Sequence, residues 1–169
     1  MRSESSRVTT AAQSRFRISD PNARPRIVKV IALDEASERV VGRLARSAWN
    51  QASFLSASAF NALHRDNKFT MKGWLSDLAG RTKDLIDEIK TADLVVMIAS
   101  AGENAQAASI IGEACSLRSI TTTALIMGSA SVSDEALSHT LAQLRPWALM
   151  LVIAHNDDYV DDMLTALQA

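Results

Sequence analysis

The chain has 169 residues and a mass of 18.3 kDa; 47% of residues are hydrophobic, 22% are charged, and mean hydropathy is +0.02. That composition excludes a collagen, a coiled coil and a wholly disordered chain, and no apolar run reaches the roughly 18 residues of a membrane helix. One cysteine, Cys115, excludes an internal disulfide framework and a Cys-rich zinc site, and a formal charge of −1 carries no overall nucleic-acid signature.

The charge is unevenly placed. Residues 1–26 hold six arginines against Glu4 and Asp20, a net of +4, and the remainder is net −5. The first residues are poor in large apolar side chains and end in Asp20-Pro21 and Arg24-Pro25. Residues 1–25 therefore read as a flexible basic tail before one domain over 26–169. The tail has no apolar core of a secretory signal, so the expected location is cytoplasmic. It is also the only part of the chain expected to touch an acidic surface or nucleic acid.

From Arg26 onward strands alternate with helices. Ile27–Leu33 is a β-branched run and predicts the first strand. Val40, Val41, Leu44 and Ala48 recur at helical spacing over Ala36–Trp49. Gln51–Ala57 predicts a weak second strand, and residues 58–71 a loop with at most one helical turn. Lys72–Lys90 predicts the strongest helix, with Trp74, Leu75, Leu78, Leu85, Ile86 and Ile89 on one face.

Asp93–Ala99 is almost wholly apolar and predicts a central strand covered on both faces. A tight turn, Ser100–Asn104, leads into a helix ending near Arg118. Thr121–Met127 predicts the fourth strand, closed by Gly128. A helix from Ser133 stops at Arg145 before Pro146. Trp147–Ile153 predicts the fifth strand, and Asn156 the cap of a last helix. The implied fold is an α/β, three-layer, Rossmann-like parallel sheet of about five strands, order 2-1-3-4-5, with helices on both faces.

In such sheets ligands bind beyond the carboxyl ends of the strands, where the order reverses. That rule places the candidate ligand-binding residues in two loops: Asp34, Glu35 and Ser37 after the first strand, and Ser100, Gly102, Glu103 and Asn104 after the third. The first loop has no GxGxxG, and its two carboxylates oppose a phosphate. Asp34 and Glu35 either hold a cation such as Mg²⁺ or favour a helix N-terminus. The second loop carries a glycine able to take positive φ, before a helix whose first N–H groups suit an anion. The same residue types also suit a purely structural strand-to-helix turn.

An acidic pair after the first strand also occurs in receiver domains. Those require an Asp ending the third strand and a Lys after the fifth; here Ala99-Ser100 and Ala154-His155 stand there, which excludes that family. His155, Asn156, Asp157 and Asp158 lie about three strand spacings, roughly 14 Å, from the first strand, too far to share a compact site with Asp34. Cys115 falls on an apolar helical face and reads as core. Trp49, Trp74 and Trp147 are too dispersed for a base-stacking platform.

Two family resemblances bear on function. DLIDEIKTAD running into LVVMIAS, the run Ile110-Ile111-Gly112-Glu113-Ala114, the Thr-rich strand and Asn156-Asp157 together resemble the N-terminal nucleotide-binding half of the tubulin-like cell-division GTPase FtsZ. Ile27–Ile31 is similar to that family's opening strand. The family's glycine-rich run is replaced here by Leu33–Ser37, and its GGGTGTG phosphate turn by Ser100–Gln106, in which only Gly102 matches. The stretch from Ala92 to Ala114 also resembles the sugar isomerase (SIS) domain, whose hydroxyl-rich turn holds a phosphosugar; Ser100 and Gly102 match it, and Asn104 replaces the last hydroxyl.

The first resemblance implies a nucleotide-binding fold without its phosphate loop: a non-catalytic binding or regulatory module. The second implies an SIS-like phosphosugar-binding protein or enzyme using the Ser100–Asn104 turn. No nucleophile–base pair is legible, so the balance is against an enzyme, and no cofactor is identified. The expected partners are a small phosphorylated ligand or another protein, with no membrane, and the sheet is compatible with homo-oligomers.

Overall fold

A computed structural model describes residues 25–66, 72–167 and 169. The basic tail expected over residues 1–25 therefore lies, except for Pro25, outside the described residues. The elements in chain order are β1 (Val28–Ala32), α1 (Glu35–Leu44), β2 (Ala52–Ser56), α2 (Ala59–Arg65), β3 (Ser76–Asp77), α3 (Leu85–Ile89) and β4 (Leu94–Ser100). They continue with α4 (Ala107–Ser116), β5 (Thr121–Met127), α5 (Asp134–Leu144), β6 (Met150–Ile153) and α6 (Asp158–Ala166).

The sheet order is β3-β2-β1-β4-β5-β6. The five expected strands are β2, β1, β4, β5 and β6, all parallel and in the expected order. The sheet has one strand more than expected: β3 pairs antiparallel to β2, Leu55 opposite Asp77 and Ser56 opposite Ser76. β1 sits between β2 and β4, with Val28 opposite both Ala52 and Leu94.

The period-2 alternation of the strands divides the core between two faces. Val28, Val30, Val96, Ile98, Leu125 and Met127 meet α1 and α6. Ile31, Val95, Met97, Ala124 and Ile126 meet the helices α2 to α5 on the other side. β4 is buried from Leu94 to Ala99, as its unbroken apolar run requires. Each such aliphatic side chain contributes about 1.5–3 kcal/mol on burial.

One charge lies within the second face. Lys29 of β1 is 8% exposed, and its Nζ lies 3.0 Å from Glu88 Oε2 and 3.3 Å from Ser53 Oγ. On the same side α4 approaches its neighbour closely because position 112 has no side chain. A Cβ on Gly112 would stand 2.5 Å from Trp147 Cβ.

The segment 72–90 is not one helix. Gly73 and Gly80 have φ of +104° and +79°, which right-handed helix does not allow. Trp74 and Leu75 are buried from an irregular segment, and β3 and a turn around Asp77 follow. Asp77 Oδ1 accepts from the N–H of Ala79 and of Arg81, and Oδ2 from Arg81 Nε at 2.7 Å. These bonds hold the Asp77 carboxyl below its ordinary pKa. Helix α3 begins only after Asp84, whose Oδ1 caps the N–H groups of Ile86 and Asp87. Trp74, Leu75, Leu85 and Ile89 face the core as expected, but from different backbone conformations, whereas Leu78, expected on the same face, is exposed.

Other boundaries also move. The expected loop over 58–71 contains α2, whose Phe60 is buried beside Trp74 with ring centroids 5.5 Å apart. β6 starts at Met150 rather than Trp147, because Trp147 N–H still closes the turn from Leu144. Helix α6 follows Asp157 rather than Asn156. No helix among the described residues is long and apolar enough to cross a membrane.

Candidate functional site

The two loops singled out by topology meet at the carboxyl ends of β1 and β4, and one side chain joins them. Asp34 is the N-cap of α1 and is 4% exposed. Its Oδ1 accepts from Ser37 N–H at 2.8 Å, and Ser37 Oγ in return accepts from Asp34 N–H at 3.1 Å. This reciprocal capping box starts the helix, with Glu35 and Glu38 in its first turn. The same carboxylate reaches across to the second loop. Oδ2 accepts from Ser100 N–H at 2.7 Å, and Oδ1 from Ser100 Oγ at 2.9 Å.

Asp34, Ser37 and Ser100 thus form one hydrogen-bonded cluster, while Glu35 is exposed and stands apart from it. Glu38, one turn further on, accepts from Ser56 Oγ at 2.8 Å and from Ser58 Oγ. Between them Asp34 and Glu38 tie α1 to the ends of β2 and β4.

The remaining predicted residues, Gly102, Glu103 and Asn104, are held by α5 instead. Gly102, with φ +85°, donates its N–H to Thr140 Oγ1 at 3.0 Å. Thr140 Oγ1 donates to Glu103 carbonyl oxygen at 2.9 Å. Gln143 Oε1 accepts from Ala105 N–H at 2.6 Å, and Gln143 Nε2 donates to Asn104 Oδ1 at 3.0 Å. Asn104 Oδ1 also accepts from Gln106 N–H, and Asn61 Nδ2 donates to the Asn104 carbonyl. Ala101 N–H donates to Met127 and Glu103 N–H to Ser100.

The consequence is chemical. A phosphate turn works by presenting unpartnered backbone N–H groups to an anion. Here the N–H groups of Ser100, Ala101, Gly102, Glu103, Ala105 and Gln106 all have acceptors within the chain. The first loop carries its own anion, the Asp34 carboxylate, bonded to N–H groups of both turns. Of the two roles open to Asp34 in the sequence, the geometry places it at the helix N-terminus. Among the described residues no group of three or more His, Cys, Asp or Glu is arranged to hold a metal ion.

No protein-family model matches the chain, and no curated protein sequence matches it significantly.

An open cavity of about 400 Å³ lies beside the closed loops, between α1 and the ends of β4 and β5. Arg39 and Arg43 of α1 line one side, and Ser100, Gly128, Ser131 and Asp157 are among the groups opposite. Gly128 takes φ +72°, which turns the chain out of β5. Nearby, Ser129 Oγ lies 2.8 Å from His155 Nδ1, and it is 3.2 Å from the Ala154 carbonyl to which it donates.

The sequence reading passed over Arg39, Arg43, Thr140 and Gln143. The arginines have a legible signal, an R-x-x-x-R spacing on the helix after the first strand. Thr140 and Gln143 have none, because their partners lie nearly 40 residues away in sequence.

Proposed function

We propose that the domain is a non-catalytic binding or regulatory module, acting in the cytoplasm, built on a degenerate nucleotide-binding fold of FtsZ-like or Rossmann-like type. One observation carries the reading: at both turns where such folds hold phosphate, most of the backbone N–H groups already bond the chain's own acceptors. Asp34 stands as an internal anion at the α1 N-terminus, and Thr140, Gln143 and Asn104 take the N–H groups of the second turn. Bonds to the Asp34 carboxylate contribute about 1.5–3 kcal/mol each and those to the neutral oxygens of Thr140, Gln143 and Asn104 about 0.5–1.5 kcal/mol, so opening this network for a phosphate is opposed. The phosphosugar reading needs those same N–H groups and for that reason ranks second.

Incubation with GTP or ATP and Mg²⁺ tests the reading. The expected result is no release of inorganic phosphate above buffer, and no guanine-selective rise in melting temperature. Multiple turnovers of phosphate release, lost in Gly102→Asp, would overturn it.

A further inference from the structure

The cavity beside α1 has properties the closed turns lack. Helix α1 places Arg39 and Arg43 one turn apart on its rim, where like charges repel unless an anion lies between them. Among the described residues the only carboxylate lining the cavity is Asp157, 3.6 Å from Arg43. Arg39 makes no ion pair or hydrogen bond with any described residue. The guanidinium is a planar fork suited to two oxygens of one oxyanion. Behind the arginines the wall is apolar, formed by Ala36, Val40, Met127 and Val132. The floor is the carboxyl end of two central strands, where α/β sheets hold ligands.

We propose that this cavity is a binding site for a small organic oxyanion, with its phosphate or carboxylate group between Arg39 and Arg43 and its apolar body against Val40, Met127 and Val132. The inference rests on reading the domain as a binding module and names the ligand chemistry of that module. Arg39 is the principal anchor because nothing among the described residues competes for it. Asp157 is a competitor: its carboxylate holds part of the Arg43 charge and repels the incoming anion.

The test is titration of the full chain with phenyl phosphate, benzoate and neutral phenol at millimolar concentration, read by calorimetry and thermal shift. Phenyl phosphate or benzoate should bind and phenol should not; the stronger of the two anions identifies the head group. Arg39→Gln should weaken the anion by about tenfold or more, the loss of one charged hydrogen-bonding partner. Its unliganded melting temperature should not change, because Arg39 has no partner among the described residues to lose. Asp157→Asn should tighten binding, an effect that a merely structural Asp157 would not produce.

No binding of either anion would overturn the proposal, as would equal binding of phenol. Binding unchanged by Arg39→Gln, or not tightened by Asp157→Asn, would also overturn it. Nucleotide turnover would overturn the module reading without touching these outcomes, so the two failures are distinguishable.

Discussion

Asp34→Ala probes the junction between the two loops. The substitution removes the cap of α1, which typically contributes about 1 kcal/mol. It also leaves Ser100 N–H, now bonded to a carboxylate at 2.7 Å, without its acceptor in a site where Asp34 is 4% exposed. That second loss costs about 2 kcal/mol, so the total is about 3 kcal/mol. Asp34→Ser separates the two effects: a serine still caps α1 but is too short to reach Ser100, and the expected cost is about 2 kcal/mol. Asp34→Asn is not a silent isostere. Each carboxylate oxygen accepts from a backbone N–H, and an amide offers only one acceptor oxygen. One N–H would then face an NH₂ group. The assay is urea unfolding, with midpoints shifting at constant slope. If Asp34 were instead a ligand-binding or catalytic acid held at a cost to the fold, its removal would be neutral or stabilising. An Asp34→Ala protein as stable as the parent would refute the reasoning.

Gly112→Ala sets a Cβ 2.5 Å from Trp147 Cβ; it should destabilise by about 1–3 kcal/mol and change Trp fluorescence, and an unchanged protein would remove Gly112 from the packing argument. Glu88→Ala leaves the 8% exposed Lys29 without its carboxylate and should cost about 3 kcal/mol, whereas the double change Lys29→Met with Glu88→Leu should be near neutral in urea unfolding. Cys115 is fully buried, and burial pushes its thiol up to about 11. A raised thiol stays protonated at pH 8, so labelling by a thiol reagent should be slow in the native chain and fast in urea.

Much of the fold is legible in local pattern. An unbroken apolar run marked β4, the β-branched and apolar run from Thr121 to Met127 marked β5, and helical spacing of Val40, Val41 and Leu44 marked the buried face of α1. The right-handed crossover rule then supplied the order of the five parallel strands. The failure over residues 72–90 has one physical origin. Trp74, Leu75, Leu85 and Ile89 are all buried, so their spacing resembles a helix, while Gly73 and Gly80 at positive φ break it. Periodicity records which residues face the core and not the backbone path that brings them there.

The candidate site was legible in place more than in chemistry. Topology located the two loops, and Asp34, Ser37 and Ser100 do meet. What closes the second turn comes from Thr140 and Gln143 on α5, and long-range partners of that kind leave no trace in local composition. A Ser-Gly-Asn turn reads the same in sequence whether its N–H groups await an anion or already have acceptors.

That distinction is measurable directly. Native-state hydrogen exchange of the Ser100, Gly102, Ala105 and Gln106 amides, with and without added inorganic phosphate, reads whether those donors are already bonded within the chain. Protection in the phosphate-free protein, unchanged when phosphate is added, is the expected result. Rapid exchange that phosphate suppresses would contradict the closure of the turn, and with it the reading of this domain as a module that has given up its phosphate loop.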